Sequence, residues 1–293
     1  MSTDIDVTLD GGRRVRARTI GPADAPTILY LHGTPDSRLT IDICAELPVS
    51  APVRLVAFDR PGYGGSDFAP FSLASVAEDA ATVLDAVGAE RVAVLGMSGG
   101  GPFALACAAG LGDRVSAVGV ASGAASIAAQ RAGIAEIDEA DRAAMALIGV
   151  DDHAAAKAFA VGFGPLLEVM RADDETMLAA MGDLMPVDHD VRAIPAVRQG
   201  LPRTMREGVR QGAEGCAWDN VAWVGHWRID LGDVDQPTWL WYGAEDPLAP
   251  PAYGHWLQRQ IPHAQLVVRR GEGHLGIYPH WDEIATTLTA ASR

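Results

Sequence analysis

The sequence predicts an α/β protein with a mostly parallel central sheet, helices on both faces of that sheet and one inserted helical unit. Three observations predict it. Short apolar runs alternate along the chain with longer segments of helical periodicity, which is typical of a parallel sheet. Several of these runs are apolar throughout, as expected for strands that are covered on both faces. One long alanine-rich stretch breaks the alternation and indicates the insertion.

The first part of the chain contains runs of strand type, followed by a regular alternation of strand and helix. The early strands are predicted at residues 6–10, 13–20 and 27–33. A helical stretch at 39–47 leads to a strand at 52–59. The next helix, at 72–88, begins at a serine cap and ends at a glycine. It is followed by a strand at 91–98, a helix at 99–111 and a strand at 115–122.

The alternation stops at residue 123 and returns after residue 235. Residues 123–235 are rich in alanine and helical in pattern, so they are predicted to be a helical insertion. Residues 1–122 and 236–293 then form the core domain. Its last part is predicted to contain strands at 237–243 and 264–270 and helices at 253–261 and 279–291.

The composition limits the possible partners of the chain. With 38 acidic and 23 basic residues, the formal net charge is -15, which repels nucleic-acid phosphates and anionic membranes, so neither is an expected partner. No apolar run reaches transmembrane length and the first residues lack the pattern of a signal peptide, which favours the cytoplasm. The three cysteines share no metal-ligand spacing, so neither a metal site nor a disulfide framework is expected.

Ser98 is the candidate nucleophile. It is the central residue of Gly96-Met97-Ser98-Gly99-Gly100, which lies between a predicted strand and a predicted helix. A GxSxG motif in this context forms a sharp turn that exposes the serine hydroxyl at the edge of the sheet. A glycine-rich turn can also simply connect a strand to a helix, but the strand–turn–helix context and the partner residues favour the catalytic interpretation.

His274 and Asp246 are the candidate partners of this serine, because a serine hydroxyl needs a base, and the base needs a group that orients it. His274 follows the last predicted strand in a glycine-flanked loop, and Asp246 follows the strand before it. Glu245 is the immediate rival for the acid role. The sequence Asp188-His189-Asp190 in the insertion is interpreted as a solvated loop rather than a metal site, since consecutive residues converge poorly on one ion.

Five segments resemble the signature segments of the α/β-hydrolase fold superfamily, in the same order. They are LHGTPDSR, DRPGYGGSD, GMSGGGP, GAEDPLAP and GEGHL, and they span nearly the whole chain outside the insertion. The resemblance implies an oxyanion hole formed by the backbone N–H groups of Thr34 and Gly99. It also implies that Asp59 and Arg60 support the loop of Thr34.

In proteins of this superfamily the insertion corresponds to a cap domain placed over the serine. Residues expected to line the pocket beneath it are Met97, Trp218, Trp223, Trp227 and Leu275. Aromatic residues of this kind line many ligand pockets. Helix packing within the insertion explains the three tryptophans equally well.

The resemblance implies a serine hydrolase that cleaves an ester, a lactone or a thioester of a small, largely apolar molecule, with no metal or organic cofactor. Serine at position 98 argues against epoxide hydrolase and haloalkane dehalogenase activity, which use an aspartate there. Three alternatives use the same triad: a carbon–carbon bond hydrolase, a cofactor-free perhydrolase, and a ligand receptor with little turnover.

Overall fold

The described part of the computed structural model comprises residues 2–127, 139–225 and 227–291. Its centre is an eight-stranded sheet with the order β1-β2-β4-β3-β5-β6-β7-β8. Strands β1 and β2 run antiparallel to their neighbours, and the remaining pairs are parallel. The strands are β1 (Thr3–Thr8), β2 (Arg14–Ile20), β3 (Thr27–Leu31), β4 (Arg54–Phe58), β5 (Val92–Met97), β6 (Val115–Ala121), β7 (Thr238–Gly243) and β8 (Ala264–Arg269). The predicted fold class is confirmed.

Helices cover both faces of the sheet. Alternate residues of the central strands belong to two apolar clusters, one on each face; in β3, for example, Leu29 belongs to one and Tyr30 to the other. Such double coverage explains why these strands are apolar throughout. The helices outside the insertion are α1 (Thr40–Glu46), α2 (Leu73–Ala86), α3 (Gly101–Leu111), α11 (Pro251–Gln260) and α12 (Trp281–Ala290).

The described residues between β6 and β7 form helices and turns. These helices are α4 (Glu139–Met145), α5 (Asp152–Gly162), α6 (Gly164–Arg171), α7 (Asp174–Leu184), α8 (His189–Ala193), α9 (Pro195–Gly208) and α10 (Glu214–Val224). Residues 128–138 and 226, which also belong to the predicted insertion, lie outside the described residues. Within the described ranges, no helix is both long enough and apolar enough to cross a membrane.

The first strand lies earlier in the chain than the sequence pattern predicts. It spans Thr3–Thr8 rather than residues 6–10, because β1 and β2 form a hairpin in which Thr8 pairs with Arg14. Gly11 and Gly12 both have positive φ values, of 87° and 86°, and make the turn between the two strands. The hairpin turn therefore begins directly after Thr8, and β1 does not continue to residue 10.

The carboxyl ends of the central strands meet at one edge of the sheet. Strands β3, β5, β6, β7 and β8 are successive parallel neighbours, so the loops that follow them lie side by side. This edge is where open parallel sheets place their ligands. The loops after β3, β5, β7 and β8 carry Thr34, Ser98, Asp246 and His274, respectively.

Candidate active site

Ser98 lies in a sharp turn between β5 and α3. Its φ angle is 52°, in the left-handed region, where a residue other than glycine or asparagine costs about 1–2 kcal/mol. The turn closes tightly because Gly96 and Gly100 have no side chains: a Cβ on Gly96 would overlap Gly100 O, and one on Gly100 would overlap Leu31 O. The strained turn therefore places Ser98 at the end of its strand, beside the loop that follows β3.

His274 and Asp246 form a buried hydrogen-bonded pair. His274 Nδ1 lies 2.8 Å from Asp246 Oδ2, and the two residues are only 5% and 4% exposed. The other carboxylate oxygen, Oδ1, accepts hydrogen bonds from the backbone N–H groups of Leu248 (2.8 Å) and Ala249 (2.9 Å). Glu245, the rival for the acid role, is exposed. The carboxylate bound to His274 is therefore that of Asp246.

The loop that follows β3 lies against the serine turn. A Cβ on Gly33 would lie 3.5 Å from Ser98 Cβ, and a Cβ on Gly99 would lie 3.5 Å from Thr34 N. The backbone of Thr34 and the backbone of Gly99 thus converge next to Ser98. The loop of Thr34 is therefore in direct contact with the residue that follows Ser98.

A cavity of about 290 Å³ contains Ser98 and His274 in its wall. Much of the remaining wall is apolar and comes from α6, α7 and α9 of the insertion. Leu275 and Tyr278 contribute from the segment that carries His274. Five of the eight methionines of the chain also line the cavity: Met97, Met170, Met181, Met185 and Met205. Methionine side chains are flexible and adapt to ligands of different shape.

A family model described as alpha/beta hydrolase fold matches residues 26–280. The chain belongs to the α/β-hydrolase fold family. Among curated proteins it is similar to a pimeloyl-[acyl-carrier protein] methyl ester esterase of Neisseria meningitidis. The two sequences are 26% identical over 275 residues, which cover 93% of this chain and 95% of the relative.

Solved structures of other hydrolases show the same fold. A hydrolase from Pseudomonas aeruginosa superposes with a TM-score of 0.70 at 21% identity, over 99% of this chain and 98% of that chain. An enol-lactonase from Burkholderia xenovorans gives a TM-score of 0.65 at 19% identity, over 98% of this chain and 99% of that chain. At these identities the likeness concerns the fold.

In this α/β-hydrolase, a buried ion pair supports the loop of Thr34. Arg60 donates to both carboxylate oxygens of Asp219, at 2.8 and 2.5 Å, and to the backbone carbonyl groups of His32 and Gly33. Asp219 Oδ2 also accepts hydrogen bonds from Thr34 Oγ1 and Tyr63 OH, both at 2.5 Å. Asp219 lies on α10, so the insertion contributes directly to the position of this loop.

His32 is neutral and structural. Burial, together with the nearby charge of Arg60, holds the pKa of its imidazole well below the usual value. The ring Nδ1 lies 2.8 Å from Gly33 O, a carbonyl that only accepts, while Nε2 accepts from Arg60 N at 3.3 Å. Both nitrogens are thus engaged in shaping the loop.

The insertion also supplies a carboxylate to the loop of His274, which the sequence pattern does not indicate. Asp188, interpreted from the sequence as part of a solvated loop, is only 1% exposed. Its carboxylate accepts hydrogen bonds from the backbone N–H groups of His274 (2.8 Å) and Leu275 (3.0 Å). His189 and Asp190, by contrast, are exposed, so the interpretation is wrong for Asp188 alone. Three polar residues in a row carry no sequence signal that one of them is buried.

The structure places the three tryptophans away from the cavity, which corrects the expectation for Trp218, Trp223 and Trp227. None of them is among the described residues that line it. They pack in or against the apolar cluster on one face of the sheet, whereas the cavity methionines Met97, Met170, Met181 and Met185 belong to the cluster on the other face. Trp218 contacts Phe71 and His153, and Trp227 lies edge-on to Trp256.

The cavity wall also contains a buried acid, Asp36. Its Oδ1 accepts hydrogen bonds from Thr204 Oγ1 (2.5 Å) and from the backbone N–H of Ser37 (2.7 Å). Burial raises the pKa of this carboxyl group to about 6, from the usual 3.8. Because the folded-state pKa lies above the unfolded value, the buried charge costs stability as the pH rises from about 4 through about 6.

The substitution Asp36→Asn tests this electrostatic cost. Asparagine keeps an oxygen that can accept both hydrogen bonds but carries no charge, so the variant is expected to gain stability over the wild type as the pH rises. The gain between pH 4 and pH 8 is expected to reach at most about 3 kcal/mol. Urea unfolding at pH 4, 6 and 8 measures it. A difference between variant and wild type that stays constant with pH would contradict the assignment.

Proposed function

We propose that this chain is a serine hydrolase that cleaves a carboxylic ester, or a lactone or thioester, through an acyl-enzyme on Ser98. One observation carries the proposal: a serine in a strained turn and a histidine bonded to a buried aspartate line the same apolar cavity. These are the three groups that acyl transfer by a serine requires.

In the proposed acylation step, Ser98 Oγ attacks the carbonyl carbon of the ester and His274 Nε2 takes the hydroxyl proton. The carboxylate of Asp246 can only accept a hydrogen bond, so it stabilises the tautomer in which the proton is on Nδ1 and Nε2 is free to act as base. His274 then gives the proton to the leaving alcohol oxygen as the carbon–oxygen bond breaks.

In the proposed deacylation step, water takes the place of the alcohol. His274 removes a proton from the water as the oxygen attacks the acyl-enzyme, and it returns the proton to Ser98 Oγ as the acid leaves. Both tetrahedral intermediates carry a negative oxygen. We assign its stabilisation to the N–H groups of Thr34 and Gly99, and donors of this kind are commonly worth about 3 kcal/mol each.

The cavity supports an apolar substrate. Its wall consists mainly of methionine, leucine and valine side chains, which gain free energy from the burial of alkyl groups but offer no hydrogen bonds. We propose that the insertion acts as a cap that provides this wall. The name of the Neisseria relative, a methyl ester esterase, supports ester cleavage as the activity.

Turnover of 4-nitrophenyl esters with acyl chains of increasing length tests the proposal. The kcat/KM is expected to rise about fourfold for each added methylene until the cavity is filled, because each buried methylene contributes about 0.8 kcal/mol. Intact-mass analysis after treatment with a fluorophosphonate probe should show one adduct, on Ser98. An adduct without repeated turnover would instead support a ligand receptor, and the absence of any adduct would contradict the triad.

A further inference from the structure

The backbone of His274 is bound by a residue that is 86 positions away in the sequence. Asp188 ends a short 3-10 turn, Pro186–Asp188, between α7 and α8 of the insertion. Its two carboxylate oxygens each accept one backbone hydrogen bond, Oδ2 from His274 N and Oδ1 from Leu275 N. The carboxylate therefore contacts two successive peptide groups of the loop that carries the proposed base.

This contact is buried and closely fitted. Burial raises the pKa of Asp188, and the two N–H donors oppose that rise, so the carboxylate depends on these donors to replace lost hydration. The fit also depends on Gly273, the residue before the base. A Cβ on Gly273 would lie only 2.5 Å from Asp188 Oδ2, and its three nearest neighbours would all be atoms of the Asp188 carboxylate.

We propose that Asp188 is a positioning residue for His274, an inference that rests on the proposed serine hydrolase function. Asp246 binds the ring of the histidine and Asp188 binds its backbone, so two carboxylates fix the two ends of the same residue. Because Asp188 belongs to the insertion, His274 is fully placed only when the insertion is packed against the core. The insertion then contributes to the base as well as to the cavity wall.

The variant Asp188→Asn tests the inference. Asparagine has the same shape but only one acceptor oxygen, whereas the N–H groups of His274 and Leu275 each bind a separate oxygen of Asp188. The loop of His274 is therefore expected to shift. A shift of the base lowers kcat about 10- to 100-fold while KM changes less than about threefold, since misplacement of a catalytic group by about 1 Å has effects of this size. The matched control is Asp190→Asn. It removes the same charge from an exposed side chain only two residues further along the chain, and it should retain wild-type kcat.

A double-mutant cycle with His274→Ala separates positioning from a general structural role. If Asp188 acts through His274, adding Asp188→Asn to His274→Ala should leave the residual rate unchanged within about twofold. A residue that merely stabilises the fold would lower both rates by the same factor. Additive losses in the cycle would therefore overturn the inference.

Gly273→Ala provides an independent variant in case Asp188→Asn does not fold. It keeps Asp188 but displaces its carboxylate, so it should lower kcat by a similar factor, and combining it with Asp188→Asn should add little.

A folded Asp188→Asn or Gly273→Ala variant with wild-type kcat overturns the inference and leaves the hydrolase proposal intact. If the wild type shows no ester turnover, the hydrolase proposal fails instead. In that case the rate at which a fluorophosphonate labels Ser98 tests the inference. Slower labelling of Asp188→Asn than of the wild type supports it, and an equal rate overturns it.

Discussion

Replacing Ser98 with alanine is expected to lower kcat for ester hydrolysis by at least about 10⁴-fold. The substitution removes the oxygen that would form the acyl bond, and no neighbouring group in the proposed mechanism can take its place. It leaves the cavity, His274 and the loop of Thr34 unchanged. The residual rate should therefore reflect only substrate binding and oxyanion stabilisation. Steady-state kinetics with the best 4-nitrophenyl ester, together with the loss of the fluorophosphonate adduct, measure this effect.

Ser122→Ala is the matched control for this substitution. Ser122 is buried whereas Ser98 is half-buried, but Ser122 also follows a central strand and also has a left-handed backbone, with a φ angle of 47°. It is not among the described residues that line the cavity. The same chemical change in the same backbone conformation should therefore leave kcat within about threefold of the wild type. Wild-type turnover by Ser98→Ala, or equal losses in both variants, would contradict Ser98 as the nucleophile.

The arrangement of Ser98, Asp246 and His274 could be predicted because its determinants are local. Each residue lies in the turn or loop that follows a strand, and the carboxyl ends of parallel strands meet at one edge of a sheet. Recognising the strands and their parallel order was therefore sufficient to bring the three residues together. The sequence favours Asp246 over its neighbour Glu245 as the acid, and the structure adds the hydrogen bond between Asp246 and His274.

The wall of the cavity could not be predicted in the same way. The apolar stripe of a helix shows which side is buried, but it does not show whether that side packs against another helix or lines a cavity. Large aromatic side chains suit a pocket and a helix interface equally well, and the three tryptophans pack in or against the apolar cluster on the other face of the sheet. Met170 of α6 and Met181 of α7 line the cavity instead.

The two insertion carboxylates were missed for a related reason. Asp188 and Asp219 are each buried by contacts with residues more than 80 positions away, to the loop of His274 and to the loop of Thr34. Nothing in their immediate sequence distinguishes them from exposed acids such as Asp190. Together they mean that the insertion supports both the proposed base and the proposed oxyanion hole.

Replacing Asp246 with asparagine is expected to lower kcat by about 10⁴-fold. In the wild type, one carboxylate oxygen accepts from His274 Nδ1 while the other accepts from the N–H groups of Leu248 and Ala249. Asparagine has a single acceptor oxygen. If that oxygen stays with the two backbone donors, its NH₂ group faces His274 Nδ1 and favours the tautomer with the proton on Nε2. That tautomer cannot accept the proton of Ser98.

The opposite orientation of the asparagine side chain does not restore the wild-type arrangement. With its oxygen towards His274, the NH₂ group would face the N–H donors of Leu248 and Ala249, and leaving the buried donor of Ala249 unsatisfied costs about 1–3 kcal/mol. Glu245→Gln is the matched control, because it neutralises the adjacent, exposed acid and should retain wild-type kcat. If Glu245→Gln instead shows the large loss while Asp246→Asn stays active, the acid is Glu245, and the buried hydrogen bond to His274 serves only the fold.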